Sequence, residues 1–162
     1  MSATAVATGA RVRRLQASDL ERVVAIDARH RGIAVPEYWQ RIRVAFLDRD
    51  RTRLRVALGA ERDGELVGFL LGEERAFEFG SEPCGWIFAV GVDPDARREG
   101  VASLSVHEAC RRFRVGGLAR VRTMVRRHDV PVLSFFRAHG FAAGEFTQLE
   151  VELPGRAGSE VA

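Results

Sequence analysis

The 162-residue chain has no lysine: all 25 basic residues are arginine, set against 22 acidic residues. The net charge of +3 is small. No long basic run is present, so nucleic-acid binding is not expected. The all-arginine usage reads as compositional bias. Seven arginines do crowd one region: Arg111, Arg112, Arg114, Arg120, Arg122, Arg126 and Arg127. They fit the solvated faces of a helix and the next strand, with a small nucleic-acid-binding domain as the competing reading. Cysteine occurs only at Cys84 and Cys110, too far apart for a CxxC-type metal pair, and both are expected as buried or half-buried thiols. The four histidines, His30, His107, His128 and His139, show no metal-ligand spacing. No apolar run approaches the ~20 residues of a membrane span. The first ten residues lack the basic start and apolar stretch of a secretory signal, so a cytoplasmic protein is expected. Tyrosine occurs once, at Tyr38.

What is present suits one globular domain, with 46% apolar and 29% charged residues. The expected domain spans 10–153, with disordered ends at 1–9 and 154–162. A strand is expected over 11–15. Ser18 can cap a helix that carries Leu20, Val23, Val24 and Ile26 at helical spacing. Pro36 suits a first helical turn, and Tyr38, Ile42, Phe46 and Leu47 continue the period to give a second helix. Two strands, 54–60 and 66–71, flank an Asp63-Gly64 turn. The link 73–81 leads to a continuous apolar strand, 86–92, that Asp93-Pro94 ends. Gly100 opens a helix to Val115, with Leu104, Ala109, Cys110 and Phe113 facing inward, and Gly116-Gly117 stops it. A strand at 121–125, a helix from Pro131 to Gly140 and a last strand at 146–153 complete the order β-α-α-β-β-β-α-β-α-β. That order predicts an α/β fold, a mixed central sheet with helices on both faces.

One stretch carries chemistry. Between the apolar strand and the helix from Gly100 lies Asp93-Pro94-Asp95-Ala96-Arg97-Arg98-Glu99-Gly100-Val101-Ala102. A loop ending in a helix N-terminus collects free backbone amides, and the helix dipole adds about half a positive charge. Small residues at Gly100 and Ala102 let a phosphate approach the backbone. Arg97 and Arg98 oppose the dipole, a penalty that a bound polyanion would reverse. No Lys-Ser or Lys-Thr follows the glycine, which excludes a Walker loop. The three glycines of a dinucleotide fingerprint are also absent.

Arg97-x-x-Gly100-x-Ala102, preceded by Val92-Asp93-Pro94, resembles the (Gln/Arg)-x-x-Gly-x-(Gly/Ala) motif of the GNAT N-acetyltransferases. A second block, residues 125–141 with a terminal Gly140-Phe141, is similar to the next segment of that superfamily. The element order from Arg11 to Leu153 fits as well. The resemblance implies acetyl-CoA as cosubstrate and a primary amine as acceptor. It implies that Arg97, Arg98, Glu99, Gly100, Val101, Ala102 and Ser103 meet the CoA pyrophosphate. It places Val90, Gly91 and Val92 beside the pantetheine and acetyl carbonyl, and Asp129 and Phe136 near the cofactor. A glycine inside an apolar strand also suits a β-bulge at Gly91, with tight packing as the other reading. A homodimer is compatible with such a fold.

The chain departs from the superfamily where protons are handled. Phe136 stands where many members carry a tyrosine acid. Trp86 and Met124 stand at two positions where members carry a glutamate. Glu82 and Cys84 precede the central strand, and Glu82 is the candidate base; His128 and Asp129 at a strand end are further options. Two functions are therefore carried forward, an acetyl-CoA-dependent N-acetyltransferase and a weak or inactive acyl-CoA-binding module.

Overall fold

In the computed structural model, which describes residues 9–47 and 53–154, five strands form one sheet in the order β1-β2-β3-β4-β5. β1 (Arg11–Arg14), β2 (Arg55–Arg62), β3 (Glu65–Arg75) and β4 (Cys84–Val92) are antiparallel neighbours. β5 (Val121–Thr123) runs parallel to β4. The β2–β3 hairpin turns where expected, with Asp63 at φ 51° and Gly64 at φ 82°. Two consecutive positive φ values suit the turn to the twist of the flanking strands.

The strand alternation divides the core between two faces. Val56 and Leu58 of β2 and Leu70 of β3 face α3 (Val101–Val115) and Phe136 of α4 (Val130–Ala138). Ala57, Phe69 and Leu71 face α1 (Leu20–Arg31) and Trp39 of α2 (Pro36–Leu47). The mixed sheet thus carries helices on both faces. Trp39 is buried, and its indole Nε1 donates to Asp27 Oδ2 at 2.9 Å, which satisfies both buried polar groups. On the other face Phe113 is fully buried over gaps in the sheet. A Cβ added at Gly85 would lie 2.6 Å from its ring, and one at Gly72 would lie 2.9 Å away. Small residues on β3 and β4 therefore set how closely α3 approaches.

Several expectations need correction. Residues 146–153 form no strand: Leu149, Val151 and Leu153 are exposed, and no described residue pairs with them. Their alternation supplies strand propensity, but a strand exists only where a ladder forms. β5 ends at Thr123 rather than at residue 125. The bulge is not at Gly91. The register between β3 and β4 shifts between Leu71 and Gly72, whose partners are Ala89 and Ile87, so Phe88 is the extra residue. Gly91 instead gives room to the Phe69 ring, which would lie 2.5 Å from an added Cβ. Ser18 caps no helix; it lies in a 3-10 turn, Ala17–Asp19, where the Asp19 carboxylate accepts from Gln16 N at 2.7 Å. Leu104 and Cys110 are half-buried, and Ser105 and Val106 take their place on the inward face of α3. The ends 1–9 and 154–162 lie outside the described residues except for Gly9 and Pro154. No helix among the described residues is long and apolar enough to cross a membrane.

Candidate functional site

The parallel pairing of β4 and β5 stops early. Gly85, Trp86 and Ile87 pair with Val121, Arg122 and Thr123, and then β5 ends. Thr123 Oγ1 donates to Ile87 O at 3.0 Å, so a side chain takes the last rung. β4 continues to Val92 with no strand on that side among the described residues. Asp93 N donates to Val67 O at 2.8 Å on the β3 side. Backbone groups of successive residues point to opposite edges, so those of Val90 and Val92 face away from β3. Among the described residues, the open edge of β4 therefore offers unpaired strand backbone at Val90, a residue exposed at 36%.

The chain leaves this edge through a 3-10 turn, Pro94–Ala96, and enters α3 at Gly100. Arg98 and Gly100 adopt φ 65° and 80°, in the left-handed region. Backbone conformation thus favours glycine at 100, whatever approaches it from outside. Leu104 N takes Gly100 O at 2.9 Å, and the amides of Val101, Ala102 and Ser103 precede any intrahelical partner. The first turn of α3 has no acidic residue, so the positive end of its dipole is uncompensated by side chains. Glu99 is engaged by Arg62 of β2, which joins the loop to the sheet.

The loop is also held from α1. Asp93, buried at 4% exposure, accepts from Arg22 Nη2 at 2.6 Å and from Arg29 Nη1 at 2.5 Å. It also accepts from Asp95 N at 3.0 Å and so caps the 3-10 turn. Arg29 reaches on to Asp95 at 3.0 Å. Hydrogen bonding to Arg29 lowers the Asp95 carboxyl below its ordinary range, and Asp95 in turn raises Arg29. His30 Nδ1 lies 3.0 Å from Arg97 Nη2, and His30 Nε2 lies 2.7 Å from Val92 O. A guanidinium only donates and a carbonyl only accepts, so both contacts are hydrogen bonds in the tautomer with the proton on Nε2. Arg22 and Arg29, seven residues apart, share one face of α1. Nothing in the sequence paired them with Asp93.

Not all the candidate residues come together. Val90, Val92, residues 97–100, Ala102 and Ser103 follow one another on the surface of strand edge, loop and helix start, whereas Gly91, paired with Phe69 of β3, and Val101, packed with Ala60, Val67 and Ala96, are buried. Asp129 caps α4: its carboxylate accepts from Val132 N at 3.2 Å. Phe136 is a core residue, exposed by only 7% among Val106, Ala109 and Phe113, with its ring 5.1 Å from those of Phe135 and Phe141. Glu82 is exposed in the link before β4, two residues ahead of Cys84 and at the opposite end of that strand from the loop. Trp86 packs under the Arg75 guanidinium, 4.4 Å from the ring centroid, and Met124 is 62% exposed. Cys84 and Cys110 are free thiols, and burial raises the Cys110 thiol. Of the crowded arginines, Arg111 and Arg112 pair with Glu108, and Arg120 and Arg122 approach Glu145. No metal-competent cluster of His, Cys, Asp and Glu occurs among the described residues.

Comparison with known proteins bears on this geometry. A model of the acetyltransferase (GNAT) family matches residues 20–141. A mycothiol acetyltransferase from Saccharomonospora viridis is 31% identical over 91 residues, covering 54% of this chain and 30% of its own. The chain thus spans about a third of the length of that relative. Among solved structures, the aminoglycoside acetyltransferase AAC(6')-Iy, in complex with the bisubstrate analogue CoA-S-monomethyl-acetylneamine, superposes with a TM-score of 0.75 at 16% identity. That match covers 90% of this chain and 99% of the other. A transcriptional regulator from Bacillus halodurans C-125 gives 0.73 at 22% identity, covering 89% and 99%. These structural likenesses establish the fold.

Proposed function

This chain belongs to the acetyltransferase (GNAT) family, and on that footing we propose that it transfers an acetyl group from acetyl-CoA to a primary amine. The observation that carries the reading is the open edge of β4 running into an uncompensated helix N-terminus. The edge suits a pantetheine amide, which would pair with Val90 as a strand does. The amides of Arg98, Glu99, Gly100, Val101, Ala102 and Ser103, with the Arg97 guanidinium, suit a pyrophosphate. Glu99 contributes through its amide, since its carboxylate is engaged by Arg62. In the reaction the amine nitrogen bonds to the thioester carbonyl carbon and the carbon–sulfur bond breaks. The ammonium proton leaves to solvent, and the CoA thiolate takes a proton from solvent.

No side chain at the positions that resemble the family's acid and bases can exchange a proton, since they hold Phe136, Trp86 and Met124. General acid–base catalysis contributes typically ~10²–10⁴-fold, so water in these roles means slow turnover rather than none. The burial of Phe136 and the stacking of Arg75 on Trp86 favour a second reading, an acyl-CoA-binding module with little turnover.

Melting the protein with acetyl-CoA, and following thiol release against a panel of primary amines, tests both. At ~100 times its dissociation constant acetyl-CoA adds about 2.7 kcal/mol to stability. A raised Tm with thiol release supports the transferase, and a raised Tm alone supports the binding module. An unchanged Tm at millimolar acetyl-CoA refutes both.

A further inference from the structure

We propose that His30 is a positioning residue for the loop, holding the Arg97 guanidinium beside the open end of β4. The inference rests on the acyl-CoA reading for its consequence, and on the geometry of the free protein for its existence.

His30 is exposed at the last turn of α1, so core packing does not fix it. Both ring nitrogens are nevertheless engaged far away in sequence. Nε2–H donates to Val92 O at 2.7 Å, across 62 residues. Nδ1 accepts from Arg97 Nη2 at 3.0 Å, across 67 residues. The ring thereby sets the guanidinium within one imidazole's width of the strand end from which the loop departs. A free arginine side chain loses rotamer entropy when a ligand orders it, and fixing it before a ligand arrives removes that cost from binding. Arg97 lies just before the positive end of α3, where a cation is unfavourable until an anion joins it. A tether that keeps it there makes physical sense if an anion is its partner. Arg29, the residue before His30, secures Asp93 and Asp95 at the same time. The end of α1 therefore fixes the start of the loop through one residue and its arginine through the next.

The test is a double-mutant cycle read by calorimetric titration with acetyl-CoA. His30→Phe keeps a ring and removes both hydrogen bonds. It should raise Kd about fivefold, the scale of one hydrogen bond to a charged group at an exposed site. Arg97→Gln should weaken binding at least as much, and the double variant should bind no more weakly than Arg97→Gln alone. His30→Leu fills part of the ring's volume with neither a donor nor an acceptor. It should behave like His30→Phe. Arg98→Gln is the control, because no hydrogen bond joins Arg98 to His30 among the described residues; its effect should add fully to that of His30→Phe. Unchanged affinity in His30→Phe, additive losses with Arg97→Gln, or wild-type affinity in His30→Leu would each overturn the proposal.

Hydrogen–deuterium exchange without ligand supplies an independent readout. In His30→Phe, amides over residues 92–103 should exchange faster, while those of β2 and β3 stay unchanged. If the wild-type protein binds no acetyl-CoA, the proposed function falls. The exchange result then decides the role of His30 by itself, and unchanged exchange over 92–103 would end it.

Discussion

Arg29 of α1 and Asp93 at the end of β4, 64 residues apart, meet at 2.5 Å, with the carboxylate buried and the guanidinium half in water. Arg22 completes the clamp from the same face of α1 at 2.6 Å and also donates to Leu66 O at 3.0 Å. The arrangement ties the loop that follows β4 to a helix packed on one face of the sheet.

Replacing Arg22 and Arg29 together by Met leaves the Asp93 carboxylate buried without a cation. Removing one side of a buried pair costs about 3–5 kcal/mol. The exposed guanidinium heads and the remaining bond from Asp95 N reduce the expected loss to about 2–3 kcal/mol. Urea unfolding measures it. A loss below about 0.5 kcal/mol would show that the clamp is solvated.

Gly100→Val should harm folding and cofactor binding together. At φ 80° a β-branched residue is strained, at a cost of about 1–3 kcal/mol, and its methyl groups would cover the amides at the start of α3. Gly100→Ala carries the backbone strain with less bulk and should recover part of the acetyl-CoA affinity. Urea unfolding and calorimetric titration of both variants separate the two effects. Equal affinity in the Gly100→Val variant and the wild-type protein would remove the loop from the binding surface.

Phe136→Tyr should lower stability and leave turnover where it was. The ring packs in the core with Val106, Ala109 and Phe113, so an added hydroxyl is desolvated without a partner. The expected cost is about 1–3 kcal/mol, or a Tm lower by about 2–10 °C. A rise in turnover with an unchanged Tm would mean that the hydroxyl reaches the thioester.

Acid should destabilise the fold through its arginine-paired carboxylates. Arg111 first, then Arg112, holds the Glu108 carboxyl down at about 2, against an ordinary 4.5. The Arg13 hydrogen bond likewise lowers Asp19. A carboxyl lowered by folding binds fewer protons folded than unfolded. Its stabilisation is complete above the unfolded value and disappears as pH falls through the folded one. For Glu108 the loss runs from about pH 4.5 to about 2. Each pair contributes about 0.5–1 kcal/mol at this exposure. Glu108→Gln should flatten the urea midpoint over that range; an unchanged profile would show that Glu108 contributes nothing to it.

By itself the sequence determined the elements that local pattern controls. Helical spacing placed α1 and α2, glycines at both ends bounded α3, strand-forming residues on either side of Asp63-Gly64 placed β2, β3 and their hairpin, and a continuous apolar run placed β4. Arg97-x-x-Gly100-x-Ala102 marked the loop, because free amides at a helix start are a local property of the chain. Tertiary structure decided what depends on partners distant in sequence. Residues 146–153 alternate like a strand yet join no ladder, since pairing requires an edge that β5 offers for only three residues. The bulge fell at Phe88 rather than Gly91 because strand register is set by both strands, and Gly91 is small to admit Phe69. Glu82 is near the loop in sequence but precedes β4, and the loop leaves that strand at its other end. His30, Arg22 and Arg29 looked like ordinary surface residues of a helix. Only the packing of α1 against the end of β4 brought them to Val92, Asp93 and Arg97, and such hydrogen bonds leave no periodicity in a sequence to read.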